Sequence, residues 1–183
     1  MAEPTKVYWD SCVWLALILG EAGRVDRCES LIELAKKGDV QIWTSSLTLA
    51  EVYKLRVGAD ARQLPADRDH IFEQFLEQDY IVEVQVDHDV GVRARDLLRQ
   101  FSPPLKKCND AVHLATAVLN DLDELHSFDA GNLLALNERV DRRDGKRLII
   151  REPPPSLIAQ QADLFVEAAV PPAGQAEPDG EGT

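Results

Sequence analysis

Four acidic residues stand where a carboxylate is unusual, at the edges of apolar segments rather than on charged helix faces. They are Asp10, Glu51, Asp110 and Asp129. A carboxylate in such a place is costly unless it is paired, protonated or bound to a cation. Neither Lys nor Arg is adjacent in sequence to Asp10, Glu51 or Asp129. If the four converge, a divalent cation would relieve their repulsion, and ligation by oxygen alone suits Mg²⁺ or Mn²⁺ rather than Zn²⁺.

Each acid also has an ordinary structural explanation. Asp110 would be favoured in the first turn of a helix by the helix dipole, with Asn109 as the N-cap. Thr48 and Glu51 have the spacing of a capping box, which explains both residues without a metal. The other two acids would serve as N-caps after strands. The metal-site hypothesis therefore depends on the four acids together and not on any one of them.

The elements that must position these acids are short strands alternating with helices. Such alternation predicts parallel β-α-β units, and hence an α/β fold: a three-layer α/β/α sandwich with a central, mainly parallel sheet. Functional groups gather at the carboxyl ends of the strands in such sheets, which directs attention to Asp10, the loop after Thr44, and Asp129. The predicted strands are 6–9, 40–44, 81–86, 124–128 and 147–150.

Hydrophobic periodicity predicts the helices. In the segment 26–37, apolar residues recur at i, i+3, i+4 and i+7, which is typical of an amphipathic helix. The pair Pro103 and Pro104 predicts a break in the chain before the helix that begins at Asp110. The predicted helices are 11–20, 26–37, 47–57, 66–78, 90–101, 110–119 and 132–140.

The composition is that of a globular protein with an acidic balance. The chain has 183 residues, of which 45% are apolar and 28% charged, and this suits one α/β domain with a tail rather than a disordered or coiled-coil chain. The net charge is −12, from 20 Lys and Arg against 32 Asp and Glu. A polyanionic partner must therefore be held by a local basic patch or by bound cations, which argues against a protein that fills a DNA groove.

No segment of the sequence predicts secretion or membrane insertion. The longest apolar run, 11–19, is far too short to span a bilayer, and the residues before it lack the net positive charge and cleavage site of a signal peptide. Cys12, Cys28 and Cys108 lie in apolar stretches without metal-ligand spacing, which is typical of small buried side chains in a reducing compartment. We therefore expect a cytoplasmic protein with no membrane partner.

The composition changes after residue 151. Six of the ten prolines lie in 152–183, together with six acids and neither Lys nor Arg. We therefore predict one domain over 1–151 and a Pro-rich acidic extension over 152–183. Within the extension we expect an amphipathic helix at 156–170 and a disordered end at 171–183.

Four local motifs occur in the order and spacing of one known family. The segment DSCVWL at 10–15 resembles the family's opening D-x-S/N-x-x-hydrophobic motif, and SSLTLAEV at 45–52 resembles its second motif, with a single Glu. The segment NDAVHLATA at 109–117 is similar to the D-A-x-h-x-A-x-A helix and is the strongest match, while SFDAGNL at 127–133 resembles the closing T-x-D-x-x-F segment. Over roughly residues 5–151 the chain resembles the PIN domain family, in particular the VapC-like toxin ribonucleases.

Two departures from the family pattern concern the expected site. Cys12 stands where the family has Ser or Asn, so we expect a minor hydrogen bond at the first motif to be missing. Ser127 and Leu133 replace the usual Thr and Phe, which makes Asp129 the least secure of the expected ligands. All four acids are present, and the resemblance implies an intact metal site.

The resemblance implies a metal-dependent endoribonuclease that hydrolyses single-stranded or looped RNA with Mg²⁺ or Mn²⁺ and leaves a 5′-phosphate and a 3′-hydroxyl. Asp10 and Asp110 would be the principal metal ligands, and Asp129 would complete a second metal position. Glu51 would bind the metal or orient the attacking water, with Ser11 as a supporting hydrogen-bond donor. The chain would be the toxin of a toxin–antitoxin pair, with a cognate antitoxin protein as its partner, and homodimers are common in the family.

Basic residues near the motifs are candidates for binding the RNA backbone. The best candidates are Lys106 and Lys107, because they lead directly into the motif that contains Asp110. Any one such charge is more often solvated surface. His113 is expected in the core or beside the site rather than as a metal ligand. The other basic candidates are Lys54 and Arg56.

Two other functions are compatible with the same residues. The chain would process RNA as a nuclease outside any toxin–antitoxin pair, or it would bind RNA or protein with the acids kept only for stability. A neighbouring gene for a small DNA-binding antitoxin would favour the toxin, and metal binding without RNA would favour either nuclease over the binding module. The acidic extension would inhibit cleavage if it occupied the basic path for RNA.

Overall fold

The computed structural model describes residues 3–57 and 60–155. Its strands are β1 (Thr5–Trp9), β2 (Val40–Ser45), β3 (Lys54–Val57), β4 (Asp60–Gln63), β5 (Ile81–Val84), β6 (Glu124–His126) and β7 (Ile149–Arg151). Its helices are α1 (Ser11–Leu19), α2 (Val25–Lys36), α3 (Ser46–Glu51), α4 (Asp69–Leu76), α5 (His88–Phe101) and α6 (Cys108–Leu119). Two short 3-10 turns lie at Ala66–Arg68 and Leu134–Leu136.

Five strands form one sheet in the order β5-β2-β1-β6-β7, and every pairing within it is parallel. The central strand is β1, in which Val7 lies opposite Ile42 of β2 and Glu124 of β6. Parallel neighbours need crossover connections. Helices supply these connections except between β6 and β7, where only the turn Leu134–Leu136 lies. The predicted α/β fold with a mainly parallel sheet is confirmed.

Side chains of β1 alternate between the two helical layers. Tyr8 packs into the apolar cluster that contains α5 and α6, whereas Val7 and Trp9 pack into the cluster formed with α1, α2 and α4. Trp14 of α1 makes edge-on contacts with Trp9 and Phe72, with ring centroids 4.9 and 5.0 Å apart. Burial of large aromatic side chains on both faces fixes β1, and with it the residue that follows the strand.

The helix predicted over 47–57 is wrong beyond Glu51. There α3 ends, and the chain continues into β3, which pairs antiparallel with β4. Val52 leaves helical geometry with ψ 56° and is buried in the core. The backbone N–H of Leu64 donates to the carbonyl of Tyr53 at 2.6 Å. Hairpin pairing and the burial of Val52 thus override the helical periodicity of this segment.

The helix predicted over 132–140 is also wrong, because only the turn Leu134–Leu136 forms there. Glu138 has a φ of 56°, which a right-handed helix does not contain. Asn137 accepts a hydrogen bond from the backbone N–H of Ile150 at 2.8 Å through its Oδ1. The apolar residues of this segment still reach the core on the α6 side of the sheet. Their spacing reflects burial rather than a regular helix.

Most of the C-terminal predictions concern residues that the structure does not describe. The predicted helix at 156–170 and the end at 171–183 lie outside the described residues, and the domain boundary after residue 151 stays a prediction. The first part of the extension contacts the domain, since Glu152 pairs with Arg27 at 2.7 Å and Pro153 is buried.

The cytoplasmic location stays a prediction. Within residues 3–57 and 60–155, none of the helices is both long and apolar enough to cross a membrane. All three cysteines carry free thiols. Cys28 is buried and Cys12 is half-buried, but Cys108 is exposed at the start of α6, so the expectation of a buried side chain is wrong there.

Candidate functional site

A cavity of about 580 Å³ opens at the carboxyl edge of the sheet, and all four predicted acids line it. Asp10 follows β1, Glu51 ends α3, Asp110 lies in the first turn of α6, and Asp129 lies beyond the end of β6. The structure thus brings the four side chains together from separate elements. A parallel sheet produces this arrangement because its strands all end at one edge.

Asp10 is both the N-cap of α1 and part of the cavity wall. Its Oδ1 accepts hydrogen bonds from the backbone N–H groups of Cys12 and Val13, at 3.1 and 3.2 Å. The residue is 4% exposed. Burial raises the pKa of Asp10 above its usual range, against the opposing effects of His113 and the Cys12 thiol. The N-cap interpretation is correct for Asp10, and a role in the cavity is compatible with it.

Two donors hold the carboxylate of Glu51. Asn109 donates from Nδ2 to Oε1 at 2.6 Å, and His113 Nε2 lies 2.6 Å from Oε2. Burial by itself would raise the pKa of Glu51, but hydrogen bonds from His113 and Asn109 outweigh it and lower the pKa. Ser11 adds a side-chain hydrogen bond that acts in the same direction. Glu51 is therefore anionic at neutral pH and held in one orientation.

Asp110 contributes a buried carboxylate oxygen to the cavity. Among the residues that the structure describes, its Oδ2 has no hydrogen-bond partner, and Lys107 Nζ lies 3.7 Å away. Burial raises the pKa of Asp110, and the charges of Asp129 and Asp10 add to the rise against the opposing charge of Lys107. A buried carboxylate oxygen of this kind is expected to have a partner, and a cation would serve as one.

Asp129 is held by three donors at the rim of the cavity. Its Oδ2 accepts from Lys107 Nζ at 2.9 Å and from Asn132 Nδ2 at 3.0 Å, while its Oδ1 accepts from the N–H of Gly131 at 3.1 Å. Burial would raise the pKa of Asp129, but these hydrogen bonds lower it. Its own N–H donates to Ser127 Oγ at 2.9 Å. Ser127 thus anchors this segment although it replaces the usual Thr.

The donor set fits a divalent metal ion that prefers oxygen ligands. Asp10 and Asp110 are buried carboxylates whose anionic forms are disfavoured without a compensating charge. The ammonium of Lys107 supplies part of that charge, because it lies between Asp110 and Asp129. In the described part of the chain, no three His, Cys, Asp or Glu side chains already stand close enough to ligate one ion. The side chains would have to come closer together to share one ion, and the chemistry of the set suits Mg²⁺ or Mn²⁺.

His113 links Glu51 to the interior of the sheet. The residue is 2% exposed, and its Nδ1 lies 2.7 Å from the hydroxyl of Tyr8. Tyr8 in turn lies 2.8 Å from Ser45 Oγ. The expectation that His113 lies in the core or beside the site is met in both respects. Tyr8 and Asn109 were missed as site residues, although Asn109 directly precedes Asp110 in the third motif.

Two helix-capping interpretations are wrong. The N-cap of α6 is Lys107 rather than Asn109, whose side chain reaches Glu51 instead. Thr48 does not form a capping box with Glu51, because Glu51 lies at the end of α3 and Thr48 accepts a hydrogen bond from Thr44 Oγ1 at 3.0 Å. These capping explanations therefore no longer account for the positions of Asn109 and Glu51.

The hydrogen bond expected to be missing at Cys12 is present. The thiol donates to Asp10 Oδ1 at 2.8 Å, and the backbone N–H of Phe128 donates to the sulfur at 3.1 Å. A sulfur atom can act as both a weak donor and a weak acceptor, so it takes the place of a hydroxyl here. Cys12 thus ties the segment after β6 to the start of α1.

The remaining rim of the cavity contains the ion pair of Arg24 with Glu21 and an apolar wall. Arg24 lies over the ring of Phe128 at 4.6 Å and also pairs with Glu21 at 2.9 Å. Lys106 is exposed, whereas the side chains of Lys54 and Arg56 lie outside the part that the structure describes. The apolar and aromatic wall consists of Leu15, Leu19, Leu47, Ala50 and Tyr53. Sequence reasoning missed Arg24, because it lies far from every motif in the chain.

Solved structures of bacterial proteins share this fold. VapC20 of Mycobacterium tuberculosis, described as a toxin that cleaves the sarcin–ricin loop, is 17% identical, with a TM-score of 0.53 and coverage of 68% of this chain and 90% of that chain. A toxin–antitoxin complex from Klebsiella pneumoniae is 21% identical, with a TM-score of 0.51 and coverage of 69% and 89%. VapBC2 from Rickettsia felis, bound to a fragment of its promoter DNA, is 15% identical, with a TM-score of 0.54 and coverage of 80% and 98%.

Sequence comparison identifies the family. No curated protein sequence matches the chain. The family model of the PIN domain matches residues 7–137, which include all four acids of the cavity. The match begins in β1 and ends just after the turn Leu134–Leu136, so that it covers most of the sheet and all the helices of the described residues. The chain therefore belongs to the PIN domain family.

Proposed function

We propose that this protein is a metal-dependent endoribonuclease that hydrolyses RNA phosphodiester bonds. The observation that carries the proposal is the cavity that Asp10, Glu51, Asp110 and Asp129 line, in which one Asp110 oxygen is buried and has no donor among the described residues. Phosphodiester hydrolysis at metal centres uses clustered carboxylates of this kind. Membership of the PIN domain family supports the same reaction.

Asp10 and Asp110 are the proposed principal ligands of Mg²⁺ or Mn²⁺, and Asp129 would complete a second position. When bound, such an ion neutralises phosphate oxygens, lowers the pKa of a bound water and stabilises the leaving oxygen. The raised pKa values of Asp10 and Asp110 support this assignment, because burial disfavours the anionic forms that a cation would stabilise.

Glu51 is the proposed residue that orients the attacking water. Hydrogen bonds from Asn109 and His113 keep its pKa low and fix its two oxygens. Its side chain is 19% exposed, so it reaches the water in the cavity. A carboxylate with a low pKa accepts a hydrogen bond from water well but removes its proton poorly, which favours orientation over general-base catalysis.

The rim of the cavity suits an unpaired stretch of RNA. Arg24 and Lys107 provide positive charge beside the acids, although the chain as a whole is strongly acidic. These two side chains would bind phosphates next to the scissile one, and the apolar wall with Tyr53 would contact an unstacked base. Attack by water on the phosphorus would leave a 5′-phosphate and a 3′-hydroxyl.

A toxin role in the cytoplasm, with a cognate antitoxin as partner, is part of the proposal. Support comes from the shared fold with a solved toxin and with a solved toxin–antitoxin complex. An antitoxin would have to cover a cavity of negative charge, and a basic side chain among the carboxylates would match that charge. The free thiols of the three cysteines are typical of a reducing compartment.

The proposal is tested by cleavage of a mixed pool of structured RNA with Mg²⁺, with Mn²⁺ and with chelator. The variant Asp10→Asn keeps an N-cap on α1 but removes the carboxylate, and we expect it to abolish cleavage. The matched control is Asp87→Asn, the same change at the N-cap of α5, where the side chain accepts from Val90 N–H at 3.0 Å. Cleavage that persists in chelator, or that survives in Asp10→Asn, would contradict the proposal.

The toxin role needs its own experiment. Induced expression of the wild-type chain should arrest the growth of a bacterial host, and Asp10→Asn should not. Co-expression of the small protein encoded next to the gene should relieve the arrest. A chain that cleaves RNA in vitro but does not slow growth would be an RNA-processing nuclease, and a chain inert on every RNA would be a binding module.

A further inference from the structure

We propose that His113 is a positioning residue that fixes the carboxylate of Glu51 for the reaction. The inference rests on the proposed function and extends it to a buried chain of hydrogen bonds behind the cavity. That chain runs from Ser45 at the end of β2, through Tyr8 of β1 and His113 of α6, to Glu51 at the end of α3.

The contacts along this chain are short and enclosed. His113 Nε2 lies 2.6 Å from Glu51 Oε2, His113 Nδ1 lies 2.7 Å from the Tyr8 hydroxyl, and that hydroxyl lies 2.8 Å from Ser45 Oγ. Tyr8 and Ser45 are fully buried, and His113 is 2% exposed. Water therefore cannot substitute readily for any member of the chain, and each polar group depends on its neighbour for a partner.

The carboxylate of Glu51 determines which atom donates in each of these hydrogen bonds. An anionic Glu51 only accepts hydrogen bonds, so His113 Nε2 must carry a proton. If the ring is neutral, Nδ1 accepts from the Tyr8 hydroxyl. If the ring is charged, Nδ1 donates to the Tyr8 oxygen, whose own proton can then go to Ser45. In both states Tyr8 fixes the ring, and the ring presents a donor to Glu51.

Glu51 needs such an anchor because its own element is short. The helix α3 has six residues, and the backbone leaves helical geometry at Val52. A glutamate side chain loses considerable rotamer freedom when it is held in one orientation. The contact with His113 fixes one carboxylate oxygen from a different and longer helix, and Asn109 of the same helix fixes the other. Since α6 also carries Asp110, a single helix sets the relative positions of two of the acids.

Two substitutions of His113 test the roles of its two ring nitrogens separately. In His113→Gln the amide nitrogen can reach Glu51 as Nε2 does, whereas in His113→Asn the shorter amide can reach only Tyr8. We expect His113→Asn to lower kcat by about 10- to 100-fold with little change in KM, and His113→Gln to restore most of the loss. Equal losses in the two variants would overturn the proposal.

A double-mutant cycle tests whether His113 acts through Glu51. We expect His113→Asn to have no further effect on kcat once Glu51→Gln is present, because the residue being positioned has already lost its charge. Losses that multiply in the double variant would overturn the proposal, since they would show a general structural role. The same four proteins are also compared by calorimetry for their affinity for Mn²⁺ in the absence of RNA. We expect any effect of His113→Asn on this affinity to disappear when Glu51→Gln is present.

A matched buried histidine provides the control for folding. His126 is fully buried, and its Nε2 lies 2.7 Å from Glu124 Oε2, outside the residues that line the cavity. We expect His126→Gln to lower the melting temperature at least as much as His113→Asn while leaving kcat near the wild-type value. If the decrease in kcat is proportional to the decrease in melting temperature across all these variants, the proposal is overturned.

One readout does not depend on cleavage. The imidazole Nε2–H of His113 should give a proton resonance protected from exchange with water in the metal-free protein, and Glu51→Ala should remove that protection. If the wild type neither cleaves RNA nor binds Mn²⁺, the proposed nuclease fails, yet this resonance still reports whether His113 holds Glu51. Absence of a protected Nε2–H in the wild type would overturn the positioning role itself.

Discussion

Lys107 donates a hydrogen bond from Nζ to Asp129 Oδ2 at 2.9 Å and so places an ammonium group inside the acidic cavity. The same nitrogen lies 3.7 Å from Asp110 Oδ2. Its charge partly offsets the repulsion between these two carboxylates. A metal ion entering the cavity has to compete with Lys107 for the same oxygens. Once a metal ion has displaced the lysine from these oxygens, its ammonium group could pair with an RNA phosphate.

Replacing Lys107 should therefore change metal binding and RNA binding in opposite directions. We expect Lys107→Met to bind Mn²⁺ more tightly in the absence of RNA, by roughly threefold because the lysine is well exposed to solvent. The same variant should show a higher KM for RNA. Calorimetry with Mn²⁺ and cleavage kinetics measure the two effects, with the exposed neighbour Lys106→Met as the control. Weaker binding of Mn²⁺ by Lys107→Met would contradict this account of the lysine.

The buried charge of Asp10 should make the metal-free protein less stable as the pH rises. Burial raises its folded-state pKa, so its contribution to stability is present at low pH and is lost as the pH rises through that pKa. Asp10→Asn avoids the loss and keeps the N-cap. We expect it to raise the melting temperature of metal-free protein by roughly 2–4 °C at about pH 8, with a smaller gain at about pH 5.

Added Mn²⁺ should reverse that ranking. Ligand binding to the folded state raises its stability, so the wild type should gain melting temperature with Mn²⁺ concentration while Asp10→Asn should gain little. Differential scanning fluorimetry with and without chelator measures both effects. An equal gain in the two proteins would show that the ion binds elsewhere.

Arg142 should be a major contributor to stability far from the cavity. Its guanidinium is 4% exposed as a side chain, contacts Asp123 at 2.7 Å and Asp144, and donates to the carbonyl of Leu122 at 3.0 Å. Removal of the guanidinium leaves the buried carbonyl of Leu122 without this donor, whereas the partly exposed carboxylates of Asp123 and Asp144 can turn to water. We expect Arg142→Met to lower the free energy of unfolding by about 2 kcal/mol, measured by urea denaturation.

An exposed ion pair on the same segment is the control for Arg142. Arg147 pairs with Asp141 at 3.0 Å, with both side chains more than half exposed. We expect Arg147→Met to cost less than about 1 kcal/mol. Equal costs for the two substitutions would mean that Arg142 acts as an ordinary surface residue.

Removing the acidic extension should increase cleavage. Because Glu152 and Pro153 contact the domain, the deletion begins after Pro155 and removes 156–183. We expect several-fold faster cleavage of RNA, since the removed segment has five acids and neither Lys nor Arg. A second variant replaces those acids by Asn and Gln at full length and should show the same increase. Unchanged rates in both variants would exclude inhibition by the extension.

The sequence predicts the fold and the meeting of two of the four acids for one physical reason. Strands that alternate with helices end at a common edge, so Asp10 after β1 and Asp129 after β6 had to lie near each other. Glu51 and Asp110 required more than this rule, because both lie on helices. Their placement was expected only through motifs that resemble those of a family.

The partners of these acids could not be predicted, since they depend on distances between elements. Neither the contact of Asn109 with Glu51 nor that of Tyr8 with His113 has a signal in local spacing, because the residues come from different helices and strands. Local patterns also failed at β3, where a continuing helical periodicity gave way to hairpin pairing. Burial and pairing with distant segments determine the secondary structure and the side-chain contacts at these positions.

The helix α6 carries a large share of the cavity wall. Asp110 and the two donors that hold Glu51 all belong to α6, which packs against α5 and the sheet. A substitution at the contact between α5 and α6 that displaced α6 would therefore move Asp110 and the donors of Glu51 together. The distance between these two carboxylates would then change less than their distances from Asp10.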